Sequence, residues 1–214
     1  MRNDKKICWS LMLAICFLFA AACHKNPDKT EAVRTRPLPA ESSPALKQVV
    51  EAALEQTKYT LYYDQSYTKI AYPDGDVPLE RGACTDVIIR AFRKGGVDLQ
   101  KEVHEDMERN FAAYPAKWGL KSPDPNIDHR RVPNLMTFFE RKGKALAITN
   151  NPEDYLPGDV VTWDLGNGST HIGMVSNVWA DATQDYLVVH NIGSGVKLEN
   201  VLFAWRITGH YRYF

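Results

Sequence analysis

An excess of charge of either sign is missing from this 214-residue chain, in which 26 Lys and Arg stand against 26 Asp and Glu. Bulk electrostatic capture of nucleic acid or anionic lipid is therefore no basis for its function. Internal repeats and low-complexity blocks are also missing, which removes solenoids and arrays. Cysteine is scarce: Cys8, Cys16 and Cys23 lie near the start, and Cys84 stands alone in the remainder. An exported domain with one thiol has no disulfide framework, so Cys84 is either a reactive group or a buried filler.

The N-terminus decides the compartment. Arg2 to Lys6 is a charged stretch, and Ile7 to Ala22 is almost purely apolar before Ala20-Ala21-Ala22-Cys23. That order is an export signal, and the apolar run is short for a spanning helix. Cleavage before Cys23 resembles the lipobox of bacterial lipoproteins, with Ala20 in place of the more usual leucine. Ala20-x-Ala22 equally suits ordinary signal peptidase. The expectation is a signal over 1–22, lipidation at Cys23 and a protein held on the periplasmic side of a bacterial membrane. Residues 23–44 are polar, with Pro27, Pro37 and Pro39, and are expected to form a disordered tether. Residues 45–214 have the size of one domain, expected to act as a monomer.

Ser43-Pro44 is an N-cap followed by proline at the first helical position, and Leu46, Val49, Val50, Ala53 and Leu54 recur at helical spacing. The Tyr59 to Tyr72 stretch reads as strand or extended loop. A second helix opens at Cys84, carries Ile88, Ala91 and Phe92, and stops at Gly95-Gly96. A third is expected over Val103 to Tyr114 and a short fourth after Pro133. From Ala145 the period becomes that of strands: 159–163, 171–178, 186–191 and 206–213. Helices first and an antiparallel sheet afterwards is an α+β pattern.

A thiol with pKa ~8.5 is a weak nucleophile at neutral pH, and a helix N-terminus or nearby imidazolium lowers it. Cys84 sits where first-turn N–H groups lack partners, so thiolate and oxyanion both have donors. His171 is the candidate proton acceptor, and a third polar group must orient it. His190 and Asn191 point to opposite faces of their strand, and His190 is the preferred orienter.

These residues resemble a known group. The Cys84 helix, Leu156-Pro157-Gly158-Asp159-Val160-Val161, His171-Ile172-Gly173-Met174-Val175 and Val189-His190 follow the order of NlpC/P60 cell-wall peptidases. The chain is more specifically similar to the domain-of-unknown-function family numbered 1287. That likeness runs through Arg81-Gly82-Ala83-Cys84-Thr85-Asp86, Asn126-Ile127-Asp128-His129-Arg130-Arg131-Val132-Pro133-Asn134 and His190-Asn191-Ile192-Gly193. The wider group implies a papain-like fold, a Cys84–His171–His190 triad and amide hydrolysis in peptidoglycan stem peptides; the nearer family implies no settled activity.

NlpC/P60 enzymes usually read Asp-Cys-Ser-Gly at the nucleophile, whereas this chain reads Ala83-Cys84-Thr85-Asp86. Their tyrosine about a dozen residues upstream, near the oxyanion site, matches Tyr72, set in a tyrosine-rich stretch. His129 and Arg130-Arg131 lie in the long Pro115 to Pro133 loop and either hold a substrate carboxylate or pin the loop. Trp118 caps the cleft or anchors the same loop. His104 lacks the second histidine of a zinc helix. Three readings follow: a thiol amidase or peptidase, a non-catalytic envelope-binding lipoprotein, or a metal site of Cys84, His171 and His190. In the first reading neither a cofactor nor a metal is expected, and the partner is peptidoglycan peptide.

Overall fold

The computed structural model describes residues 32–166 and 168–214. The expected signal and Cys23 lie outside them. Four α-helices precede the main run of strands, an α+β arrangement. Helix α1, Pro44–Glu55, starts where the sequence requires: Ser43 Oγ accepts the Leu46 N–H at 3.1 Å, and Pro44 fixes the first turn. Helix α2, Cys84–Lys94, is buried continuously from Cys84 to Phe92 and ends at Gly95. A helix buried all round must find partners for its charged residues, a condition that shapes the loops before it. Helix α3 spans Leu99–Asn110 and α4 spans Val132–Arg141.

Helix α3 begins four residues before the expected Val103. Asp98 caps it through the Gln100 N–H, and Leu99 is fully buried. Met107 marks only its C-terminal half, and Phe111 opens the 3-10 turn Phe111–Ala113 beyond its end at Asn110. Periodicity alone therefore starts the helix late and ends it late.

Among the described residues, strands β4 (Val160–Asp164), β5 (Thr170–Ala180), β6 (Asp185–Asn191), β7 (Val196–Glu199) and β8 (Arg206–Tyr211) form one sheet in the order β7-β6-β5-β4-β8. All neighbours are antiparallel. Strand β7, absent from the expectation, is short and follows the tight Gly193–Gly195 turn. A small parallel pair, β2 (Tyr62–Tyr63) and β3 (Arg81–Gly82), lies just before α2 in the chain.

The tether expectation needs correction over its final part. Val33–Thr35 forms strand β1, antiparallel to Val178–Ala180 of β5. The Arg36 guanidinium lies 3.2 Å from the Trp179 ring centroid and bonds Glu153 at 3.1 Å. Pairing with an open stretch of β5 plus a cation–π contact orders a segment whose composition alone signals only polarity.

Strand alternation divides the apolar residues between two faces. Val160, Ile172, Met174, Val189 and Tyr211 pack with the helices, together with Cys84. Val161, Trp163, Val175 and Val188 pack on the other face with Tyr155 and Leu202.

Candidate active site

Cys84 is the first residue of α2. Ala83 has no side-chain acceptor for the first turn, and Asp86 compensates from within the helix: its Oδ2 accepts the Ala83 N–H at 2.6 Å. The same carboxylate is held by Arg130 through two 2.9 Å bonds, Nε to Oδ1 and Nη2 to Oδ2. Cys84 is buried, only 6% exposed. Burial pushes it up to about 12; the Ile172 N–H opposes the shift, the Asp86 charge adds to it, and the Thr85 and Cys84 N–H groups oppose it. The sulfur thus has the donor environment expected of a helix start, but rests as a neutral thiol.

The two imidazoles meet. His171 Nε2 and His190 Nδ1 are 2.9 Å apart, and His190 Nε2 lies 3.0 Å from Glu199 on β7. The pairing of Gly173 with His190 sets this geometry, because it places His190 diagonally opposite His171 on one face. A Cβ on Gly173 would stand 2.7 Å from Val188 Cγ1 and 3.2 Å from His190 Cβ, so glycine makes the room. Trp163 stacks on His171 at 5.7 Å, and Trp205 sits edge-on to both rings. Burial and then His190 hold His171 down at about 3; burial also lowers His190, against the pull of Glu199. Asn191 points to the other face, where its Nδ2 donates to the Gly82 carbonyl at 2.7 Å and ties β6 to the approach of α2.

The thiol and the pair lie on different sides of β5. Cys84 packs with Ile172 in the helix-side cluster, whereas the imidazoles lie against Trp163 and Trp205. The connection is one peptide: the Ile172 N–H that faces the sulfur is bonded to the His171 carbonyl carbon. His171 Nε2 is engaged by His190, which leaves Nδ1 for a reaction partner. Among the described residues no hydrogen bond joins the thiol to either ring, and no group of three or more His, Cys, Asp or Glu is placed to hold a metal. The reading of Cys84, His171 and His190 as three metal ligands is therefore corrected: the sheet separates the sulfur from the nitrogens.

The remaining candidates disperse. Tyr72 is 42% exposed and packs edge-on against His104 of α3 at 5.1 Å. The tyrosine near the thiol is Tyr63, which pairs with Gly82; burial raises its hydroxyl to about 12, and Cys84 adds to that shift. A count of residues back from Cys84 cannot select it, because the intervening chain loops out before returning at β3. Arg130 is buried against Asp86 and the Ser66 and Asp64 carbonyls, so it pins the loop and is not open to a substrate carboxylate. His129 is 2% exposed and held down at about 3 by burial, which removes it from any substrate surface. Trp118 is exposed and lies over the guanidinium of Arg131, 4.1 Å from its ring centroid. Of the two loop arginines, Arg130 pins the loop and Arg131 lines a cavity.

Comparison with known proteins places this chain among relatives without assigned chemistry. The family model described as domain of unknown function (DUF1287) matches residues 50–213. A relative from Escherichia coli (strain K12), "Uncharacterized protein YijF", is 58% identical over 167 residues, covering 78% of this chain and 80% of the relative.

Proposed function

For a chain that belongs to the DUF1287 family, we propose a thiol-dependent amidase or peptidase of the cell envelope, with a papain-like NlpC/P60-type fold. The observation that supports it is the relay His171–His190–Glu199, with spacings of 2.9 and 3.0 Å, one peptide from the N–H that faces Cys84. In this reading Cys84 attacks an amide carbonyl while His171 Nδ1 takes its proton and later returns it to the leaving amine. His190 fixes the His171 ring through its Nε2. Glu199 stands 3.0 Å from His190 Nε2 without a well-formed hydrogen bond, placed to stabilise positive charge on the pair. The N–H groups at the start of α2 receive the oxyanion. Thiol and imidazole both rest neutral and on opposite sides of β5, so in this reading proton transfer requires a rearrangement of the site that brings sulfur and ring together. Water then attacks the thioester, releasing the acid and restoring the thiol. The substrate class is the stem peptide of peptidoglycan, reached through export by the 1–22 signal and anchoring at Cys23.

The test is mass spectrometry of muropeptides released from purified sacculi by the protein and by Cys84→Ala. New fragments that vanish with the substitution are expected; fragments unchanged by it would sink the proposal.

One observation favours a second reading. Cys84 is 6% exposed and packed with Ile172 and Val189, the environment of an inert thiol. A non-catalytic envelope-binding lipoprotein would retain sacculi in a pull-down without releasing fragments, and its native thiol would resist alkylation.

A further inference from the structure

The loop before α4 encloses a cavity of about 120 Å³ that the thiol chemistry does not use. A volume of that size is room for roughly four waters, or for a small organic group. Met107, Phe111, Tyr114 and Trp118 supply its apolar lining, and Arg131 and Asn134 supply polar groups.

Both polar residues present unfilled capacity. Asn134 is 1% exposed, and its Nδ2 donates to the Asp128 carbonyl at 3.0 Å, which fixes the amide orientation. Its Oδ1 is then a buried acceptor with no hydrogen-bond partner. Arg131 Nη1 is likewise a buried donor without one. Its nearest carboxylate oxygen, Asp128 Oδ1, stands 3.7 Å away, beyond hydrogen-bond reach. Buried groups of this kind are rare in folded proteins and call for an explanation. Trp118, across the guanidinium face, orients the fork without using its N–H groups.

A donor suited to carboxylates, one fixed acceptor and a small apolar chamber together define a ligand. We propose that this cavity binds the carboxyl-terminal residue of a peptide whose last side chain is small. Its carboxylate bonds Arg131, its amide N–H donates to Asn134 Oδ1, and its side chain rests among Met107, Phe111 and Tyr114. The site stands independently of the thiol reading, so Cys84→Ala protein binds such a peptide equally well.

Isothermal titration of the full chain with N-acetyl-alanyl-alanine, its C-terminal amide and propionate provides the test. The acid is expected to bind about tenfold or more tightly than the amide, which lacks the carboxylate, and than propionate, which lacks the N–H. Arg131→Gln should weaken the acid about tenfold and erase its advantage over the amide. Equal binding of acid and amide, or no heat from the acid at millimolar concentration, overturns the site. Propionate binding as tightly as the peptide overturns the peptide assignment in favour of free small acids. Should Arg131→Gln not fold, the acid–amide comparison on the natural chain still decides.

Discussion

Asp86 shows how one side chain serves several demands. It caps α2 through Ala83, neutralises buried Arg130 and, through that arginine, holds the Ser66 and Asp64 carbonyls ahead of the thiol. Breaking a buried, hydrogen-bonded ion pair leaves an uncompensated charge, at a cost of about 3–5 kcal/mol. Asp86→Ala is therefore expected to lower the urea midpoint by that equivalent with little change in slope. The double variant Asp86→Ala, Arg130→Met should recover part of the loss, since the orphaned cation is gone. An intact midpoint in the single variant would show that the pair contributes nothing. Arg90 does similar work for the loop at 76–81, with bonds to Asp76 and to the Val77, Pro78 and Arg81 carbonyls.

At the scale of elements, the β5–β6 register places the histidine pair. Gly173 faces His190, and a methyl group there meets Val188 at 2.7 Å. Overpacking of this kind costs about 1–3 kcal/mol. Gly173→Ala is expected to lower thermal stability accordingly and to change the imidazole resonances of His171 and His190 in NMR spectra. Unchanged ring resonances would mean that the close approach does not position the pair. Strand β1 offers a separate case. Arg36→Ala removes the contact with Trp179 and the bond to Glu153, and is expected to cost about 1 kcal/mol. Faster amide hydrogen exchange should follow at Val178 to Ala180, where β1 pairs with β5.

For the whole molecule, the buried imidazoles couple stability to pH. His129 and His171 are held down at about 3 in the folded state, whereas an unfolded histidine titrates near ~6.5. Between these values the unfolded chain binds more protons, so stability is fully present above about 6.5 and falls as the pH drops toward 3. The loss by pH 4 is on the order of 3 kcal/mol per imidazole. Urea denaturation at pH 7, 5 and 4 should show this decline, and His129→Gln should flatten it. A stability that does not change over that interval would mean the rings are protonated in the fold.

The sequence by itself determined the elements whose signals are local. Ser43-Pro44, the Cys84 start and the Gly95 stop of α2, Pro133 in α4 and the change to strand period after Ala145 all lie where short-range capping and side-chain alternation put them. Alternation, a local rule, also put His190 and Asn191 on opposite faces of their strand, while the β5–β6 register decided which of the two meets His171. Tertiary structure alone decided the rest. It selected Tyr63 over Tyr72 and buried Arg130 while leaving Arg131 at a cavity, since loop closure is invisible to spacing along the chain. It also drew residues 33–35 onto β5 and set the thiol and the imidazole pair on opposite sides of that strand. Face and depth depend on what packs from elsewhere in the chain, and no run of neighbouring residues encodes them.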